Sequence, residues 1–305
     1  MKITIATDKP FAKEAVQLIK DKIIDAGHEF GLLESYTDKQ DLIDAAKNCD
    51  ALIIRSDLVT REVLEAGNRL KIVVRAGAGY DNIDLNAASE KGVVVMNTPG
   101  QNSNAVAELA IGMMVLMARG KYDGKSGTEL SGKRIGIHAY GNVGKRVAAI
   151  ARGFGMEVFA FDPFLSKQEI EKDGVKALDS VDELYSTCQY VSLHIPANEQ
   201  TKKSITKQLL SKMPKNAVLV NTARKEVIHE DDMLALMEER PDFKYLSDIE
   251  PDKKEDFETK FKNRIFFTPK KMGAQTEEAN VNAGVASAVQ IIRFFETGDT
   301  TYQVN

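Results

Sequence analysis

The stretch IGIHAYGNVGKRVAAIARGFGMEVFAFD, residues 135–162, decides the fold. It reads as an apolar strand (Ile135, Gly136, Ile137), a glycine turn, a helix, and a second strand ending on an acid. Gly141 and Gly144 bracket the turn, and Val143, Val147, Ala148, Ile150 and Ala151 recur at helical spacing. The first N–H groups of such a helix are unpaired and its dipole favours an anion, so backbone donors near residues 142–145 suit a dinucleotide pyrophosphate. Tyr140, Gly141, Asn142, Val143 and Gly144 are therefore the candidate cofactor residues of the turn. Asp162 lies eighteen residues past Gly144, where a carboxylate accepts from both ribose hydroxyls and repels a 2′-phosphate, which selects NAD over NADP. Ala139 occupies the place of the first glycine in G-x-G-x-x-G, so the succession of elements carries the reading more than the fingerprint itself. The alternative is a βαβ turn whose glycines serve packing alone.

Composition bounds the rest. A chain of 305 residues is long enough for about two domains. Lys and Arg number 41 against 45 Asp and Glu, a net charge of −4, so no basic excess points to nucleic acid or an anionic membrane. The opening MKITIATDKP reads as a strand and a breaker, and no apolar run reaches membrane length; a soluble, cytoplasmic protein is expected. Cys49 and Cys188 are far apart and read as free thiols in a reducing compartment. His28, His138, His194 and His229 form no ligand spacing, so no metal site is expected.

Before the nucleotide unit, KITIAT, EFGLLES, ALIIRS, KIVVRAG and VVVMNT are short β-branched runs separated by helical patterns at 11–26, 38–47, 61–67 and 85–91. Such alternation gives an α/β domain with a parallel sheet covered on both faces. Thr60 reads as an N-cap and Gly92 as a helix end. NSNAVAELAIGMMVLMAR (102–119) is apolar on nearly every side and must be covered all round, either within one domain or as a crossover and subunit contact. After the nucleotide unit, VKAL, YVSLHI, AVLVNTA, KYLSDI and RIFFTP read as further strands, and a last helix over 276–296 can return to the first domain.

Loops at the carboxyl ends of parallel strands carry ligand chemistry. In Arg75-Ala76-Gly77-Ala78-Gly79 the glycines allow N–H groups to converge on a carboxylate, or simply form a tight turn. The strand AVLVNTA delivers Arg224, whose guanidinium can clamp a carboxylate bidentately, or sit on the surface. The segment 247–252 places acids after a strand, and 268–278 contains Lys270 and Lys271. Arg55, followed by Ser56, ends one strand and Arg75 ends the next; both guanidiniums can converge on a distal phosphate, or cap strand ends.

The order RAGAGYDNID, NTPGQNSNAVAELAIG, the nucleotide turn with its later Asp, HIP, VNTAR, SDIEP and TPKKMGAQTEEAN resembles the D-2-hydroxyacid dehydrogenase family along nearly the whole chain. Within it the likeness is nearest to short-type 3-phosphoglycerate dehydrogenases, which lack a C-terminal regulatory domain. The resemblance implies two doubly wound parallel-sheet domains: a discontinuous, flavodoxin-like substrate domain (1–98 plus 276–305) and a Rossmann NAD-binding domain (99–275) that includes the crossover helix. It implies an active site in the cleft between them and a homodimer through the 102–119 region. The activity implied is NAD-dependent oxidation of 3-phosphoglycerate at C2, the first step of L-serine biosynthesis. A hydroxypyruvate or glyoxylate reductase and a non-catalytic NAD-sensing protein are the alternatives.

By position, the resemblance makes Arg224 the catalytic arginine, Gly77, Ala78 and Gly79 the carboxylate loop, and Asp248 the partner of the nicotinamide carboxamide. Thr222 and Ala223 flank the nicotinamide, His194 and Pro196 belong to the cofactor loop, and Gly273 of GAQTEEA joins the cofactor set. Arg55 and Arg75 take the phosphate. The family places a histidine after T-P, assisted by a glutamate, and this chain departs at both places. Counting from Thr268-Pro269 puts Lys270 at the histidine position, and counting back from GAQTEEA puts Lys271 there. Glu250 and Asp252 are the displaced carboxylate candidates. The longer GAQTEEA match favours Lys271 as the acid/base; burial and a neighbouring Arg224 would both disfavour its ammonium form.

Overall fold

A computed structural model describes residues 1–305, which divide into two compact units, Met1–Asn102 with Thr276–Asn305 and Ser103–Gln275. The first unit runs β1 (Lys2–Thr7), α1 (Lys13–Asp25), β2 (Glu29–Glu34), α2 (Lys39–Lys47), β3 (Ala51–Ile54), α3 (Arg61–Ala66), β4 (Ile72–Arg75), α4 (Leu85–Glu90) and β5 (Val94–Asn97). Its five strands are all parallel in the order β2-β1-β3-β4-β5. The second unit runs α5 (Ser103–Ala118), β6 (Arg134–His138), α6 (Asn142–Gly153), β7 (Glu157–Phe161), α7 (Lys167–Glu171), β8 (Lys176–Ala177), α8 (Val181–Thr187) and β9 (Tyr190–Leu193). It continues through α9 (Lys207–Leu210), β10 (Val218–Asn221), α10 (Glu230–Glu239), β11 (Lys244–Ser247), α11 (Lys254–Phe261) and β12 (Ile265–Phe267). Here seven parallel strands lie in the order β12-β11-β10-β9-β6-β7-β8. The closing helix α12 (Glu277–Thr297) belongs to the first unit.

The central strands of both sheets are buried on both faces, which is why they read as apolar runs rather than alternating ones, whereas the edge strands β2 and β8 have no buried residue. Every residue of β3, β9 and β10 is buried. In the first unit one face packs Ile3, Ile5, Ile53 and Val74 with Ile19 and Ile23 of α1 and Ala288 and Ile291 of α12. Burying each such Ile or Val contributes about 1.5–3 kcal/mol. In both units the strand order reverses beside the first strand, β1 or β6, and in open α/β sheets such a switch point is where ligands bind, outside the carboxyl ends of the strands.

Helix ends follow local side-chain chemistry. Asp38 accepts from the Gln40 N–H, Asp84 from Ala87 and Thr276 from Ala279, starting α2, α4 and α12. Thr60 holds the N-cap position of α3, but its hydroxyl makes no capping bond and is enclosed without a partner. Helix α5 departs from one of its two readings, burial within a single domain. Val106, Ala107, Ala110, Met113, Met114 and Met117 are buried, whereas Asn104, Glu108 and Gly112 form an exposed stripe at four-residue spacing, flanked by half-buried Leu109 and Val115. Within this chain the helix is covered on one side only. Cys49 and Cys188 are buried free thiols, and burial pushes both up to about 12.

Candidate active site

The glycine turn sits at the carboxyl end of β6. Ala139 donates its N–H to the Phe161 carbonyl (2.9 Å) and takes a φ of +78°, so the left-handed backbone that a glycine normally supplies is present here in an L-residue. Gly141 caps α6 with an ordinary φ of −79°, and no heavy atom lies within 4 Å of where its Cβ would stand. Gly144 is the opposite case. A Cβ there would come 2.4 Å from the Ala139 carbonyl oxygen and 2.9 Å from Ile137 Cγ2, so this glycine permits the close approach of α6 to β6. The carboxylate of Asp162 accepts the Tyr140 N–H (2.8 Å) and the Phe164 N–H (2.9 Å), which ties the end of β7 to the turn. Tyr140 is buried, and its hydroxyl lies 3.1 Å from Asp173 Oδ2, an anchor the sequence reading missed.

Beneath the turn, His138 Nδ1 lies 3.2 Å from the Tyr185 hydroxyl. The His194 N–H donates to the His138 carbonyl (2.9 Å). Burial holds the His138 imidazole down to about 4, against a small opposing pull from Asp162. Burial, with His138 as a neighbour, holds His194 down to about 3. His194 keeps part of its surface in solvent, but its Nε2 is fully enclosed and without a partner. The Pro196 carbonyl accepts from the Thr201 hydroxyl at 2.5 Å.

After β10 the chain turns through Thr222, Ala223 and Arg224, held by Asn221, whose side chain accepts the Ala223 N–H (3.0 Å) and donates to the Arg224 carbonyl (2.9 Å). The Ala223 carbonyl then accepts from Arg224 Nη1 at 3.0 Å and from Lys271 Nζ at 2.9 Å. One carbonyl oxygen thus gathers both cations, and of the two candidate lysines it is Lys271 that stands beside Arg224. Lys271 is exposed, contrary to the burial expected of it, because its loop follows the end of the sheet's edge strand β12.

Asp248 shapes the loop that carries Lys271. It is 1 % exposed, and its carboxylate accepts from the Thr268 hydroxyl (3.0 Å), the Met272 N–H (2.7 Å) and the Gly273 N–H (2.7 Å). The other two acids turn elsewhere. Glu250 accepts from Lys254 (2.5 Å), and Asp252 pairs with Lys225. The Thr222 hydroxyl is buried without a partner.

In the first unit, Arg75 ends β4 in register with Ile54 of β3, so the arginines that follow these neighbouring strands lie together. Arg75 Nε donates to the Arg55 carbonyl (3.0 Å), and its guanidinium lies across Gly77, where a Cβ would meet Nη1 at 1.5 Å. Gly77 has a φ of +152°, Ala78 is exposed and its carbonyl accepts from Asn97 (2.6 Å), and Gly79 is half-buried. Arg55 is already engaged with Lys9, Pro10 and Asn280, and Ser56 beside it is exposed.

Residues 105–269 match the family model described as D-isomer specific 2-hydroxyacid dehydrogenase, NAD binding domain. The chain belongs to this family. It is 34% identical over 306 residues to the D-3-phosphoglycerate dehydrogenase of Methanocaldococcus jannaschii, covering 95% of this chain and 57% of that protein. It is 37% identical over 249 residues to the hydroxypyruvate reductase of Thermotoga maritima, covering 77% of this chain and 78% of that one. The chain therefore spans little more than half the length of the archaeal relative. Among solved structures, the NAD+-bound 3-phosphoglycerate dehydrogenase of Entamoeba histolytica superposes with a TM-score of 0.89 at 46% identity, covering 100% of this chain and 98% of that one.

Set within this dehydrogenase family, the second unit gathers the glycine turn, Asp162, His194, Thr222, Arg224, Asp248 and Lys271 along the carboxyl ends of its strands. The first gathers Arg55, Arg75 and the Gly77 loop in the same way. The residues sequence reasoning missed are Tyr140's anchor Asp173, 33 positions away, and Asn280 against Arg55, 225 positions away; no motif spacing announces either pairing.

Proposed function

We propose that this chain is an NAD-dependent 3-phosphoglycerate dehydrogenase that converts the C2 alcohol of 3-phosphoglycerate to the ketone of 3-phosphohydroxypyruvate, and so opens L-serine biosynthesis. The observation that carries the reading is the pair of cations, Arg224 and Lys271, gathered on the Ala223 carbonyl beside a turn built for a dinucleotide. The fit to NAD rests on the open space at Gly141, the unpartnered Thr222 hydroxyl and His194 Nε2, and the Asp162 carboxylate, which selects against a 2′-phosphate. When bound, NAD supplies the hydride acceptor. Asp248 and Gly273 would face its carboxamide end, and residues 140–144 its pyrophosphate.

In this reading the second unit is the NAD-binding domain and the first the substrate domain. Arg224 holds the substrate carboxylate and polarises the C2 oxygen. Lys271 in its neutral form takes the C2 hydroxyl proton, and in reverse its ammonium returns it. The 75–79 loop adds backbone donors to the carboxylate, and Arg55 and Arg75 take the phosphate. Glu250 and Asp252, each paired with a lysine of its own, are poorly placed to assist Lys271. We assign the working form to a cytoplasmic homodimer joined through α5, whose exposed stripe of Asn104, Glu108 and Gly112, flanked by half-buried Leu109 and Val115, leaves one side for a partner to cover.

A second reading, a hydroxypyruvate reductase, is favoured by the Thermotoga maritima relative, of which the chain covers 78%. NADH oxidation with phosphohydroxypyruvate beside hydroxypyruvate separates the two. Turnover strongly favouring the phosphorylated substrate supports the dehydrogenase, comparable turnover supports the reductase, and NADH binding without turnover on either supports a sensor.

A further inference from the structure

Asn280, in the first turn of α12, has no part in the reaction described above, yet it fixes the side chain proposed to meet the phosphate. A guanidinium has five N–H donors. In Arg55, Nη1 donates to the carbonyls of Lys9 (2.8 Å) and Pro10 (2.9 Å), and Nη2 donates to Asn280 Oδ1 (2.6 Å). The Phe11 ring supports the plane, 5.0 Å from the guanidinium carbon. The Asn280 amide cannot be turned round, because its Nδ2 donates to the Thr276 carbonyl (2.7 Å) and leaves Oδ1 for the arginine. The Nε–H and the second Nη2–H of Arg55 have no protein acceptor.

All three acceptors on Arg55 are neutral. The nearby Asp57 carboxylate is occupied by the N–H groups of Asp8 (2.7 Å) and Arg55 (3.0 Å) and by the Tyr36 hydroxyl (2.6 Å), and makes no ion pair with the guanidinium. Asp57 and Asp8 act on the guanidinium through space, but neither is bonded to it, so the cation is oriented by neutral acceptors alone. Ordering a long arginine before the ligand arrives removes much of the entropy that binding would otherwise cost.

We infer that Asn280 is a positioning residue for the phosphate end of the substrate: it sets Arg55 so that the two remaining donors meet a phosphate, and as a neutral amide it leaves the charge for that anion. This rests on the reading that Arg55 binds phosphate. The sharpest variant is Asn280→Asp, which keeps the shape and the Oδ1 acceptor, adds a charge, and gives up the N–H that Nδ2 donates to the Thr276 carbonyl. A purely structural Asn280 predicts that Asn280→Asp and Asn280→Ala both change stability and leave the kinetics of the two substrates alike.

The experiment measures kcat and KM with NADH for phosphohydroxypyruvate and for hydroxypyruvate, in wild type, Asn280→Asp, Asn280→Ala and Arg55→Ala, with urea unfolding of each. Asn280→Asp is expected to raise KM for phosphohydroxypyruvate about tenfold or more. Asn280→Ala is expected to raise it several-fold, and neither should move kcat or KM for hydroxypyruvate by more than about twofold. The Asn280→Asp unfolding midpoint should stay at or above that of Asn280→Ala, which loses the contacts to both Arg55 and Thr276. If Arg55→Ala selectively penalises the phosphorylated substrate while Asn280→Asp does not, Arg55 reads phosphate without Asn280 and the inference fails alone. If Arg55→Ala changes both substrates equally, the phosphate reading falls and takes the inference with it. Should Asn280→Ala not fold, the isosteric Asn280→Asp decides.

Discussion

Two glycines three residues apart in the nucleotide turn should fail in different ways when given a methyl group. At Gly144 the new Cβ would stand 2.4 Å from a backbone oxygen and 2.9 Å from Ile137 Cγ2, so α6 must move outward by about 1 Å against Val147, Ala148 and Ala151, which are buried. Overpacking against rigid backbone costs about 3 kcal/mol, and the better helix propensity of alanine returns about 1, leaving a loss of roughly 2 kcal/mol. At Gly141 no atom lies within 4 Å of the Cβ and φ is −79°. The loss of a glycine N-cap, about 0.5–1 kcal/mol, is offset by a stiffer unfolded chain worth about 0.4–1, so stability should move by less than about 0.5 kcal/mol. The same methyl group fills the space a pyrophosphate must enter; losing one charge-assisted backbone hydrogen bond, about 1.5–3 kcal/mol, weakens NADH binding roughly ten- to hundredfold. Urea unfolding and NADH fluorescence titration of both variants test this. The reasoning is refuted if Gly141→Ala binds NADH as wild type does, or if Gly144→Ala unfolds at the wild-type midpoint.

Three further outcomes are expected. Lys271→Ala should lower kcat by about 10²–10⁴ and Lys270→Ala by less than about twofold; the reverse order in steady-state kinetics would move the acid/base role to Lys270. Ala139→Gly relieves a φ of +78° worth about 1–2 kcal/mol and adds unfolded-state freedom of about 0.4–1, so urea unfolding should show a net gain of roughly 0.5–1 kcal/mol, and a loss would mean the Ala139 methyl packs usefully. The His138 value is depressed on folding, to about 4, so its contribution is complete above the unfolded value near 6.5 and is lost as pH falls between the two. At pH 5 this amounts to about 2 kcal/mol, read as the extra loss of unfolding free energy from pH 7 to 5 in wild type over His138→Asn; equal losses would place the acid sensitivity elsewhere.

Strand identities, the two parallel sheets and the dinucleotide turn were legible in the sequence because each depends on neighbours within a few residues. Apolar β-branched runs of four to six residues, bounded by turn residues and alternating with helical patterns, read as strands of a covered parallel sheet, and the spacing of Gly141, Gly144 and Asp162 states a strand-turn-helix-strand unit even without its first glycine. Sequence also brought the lysine question to two neighbours and no further, since the anchors Thr268-Pro269 and GAQTEEA disagree by one residue. Tertiary structure adds a contact that no local pattern announces: the Ala223 carbonyl, 48 positions away in the chain, receives Lys271, and three donors on buried Asp248 set the loop that presents it. Tertiary structure also decided that Arg55 is held by an asparagine 225 positions away, that α5 leaves one face uncovered, and that Ala139 accepts a glycine's backbone. The physical reason is common to all of these. Propensity and periodicity are local, whereas a hydrogen-bond partner or a covered face is chosen by which distant segment packing brings within about 3 Å.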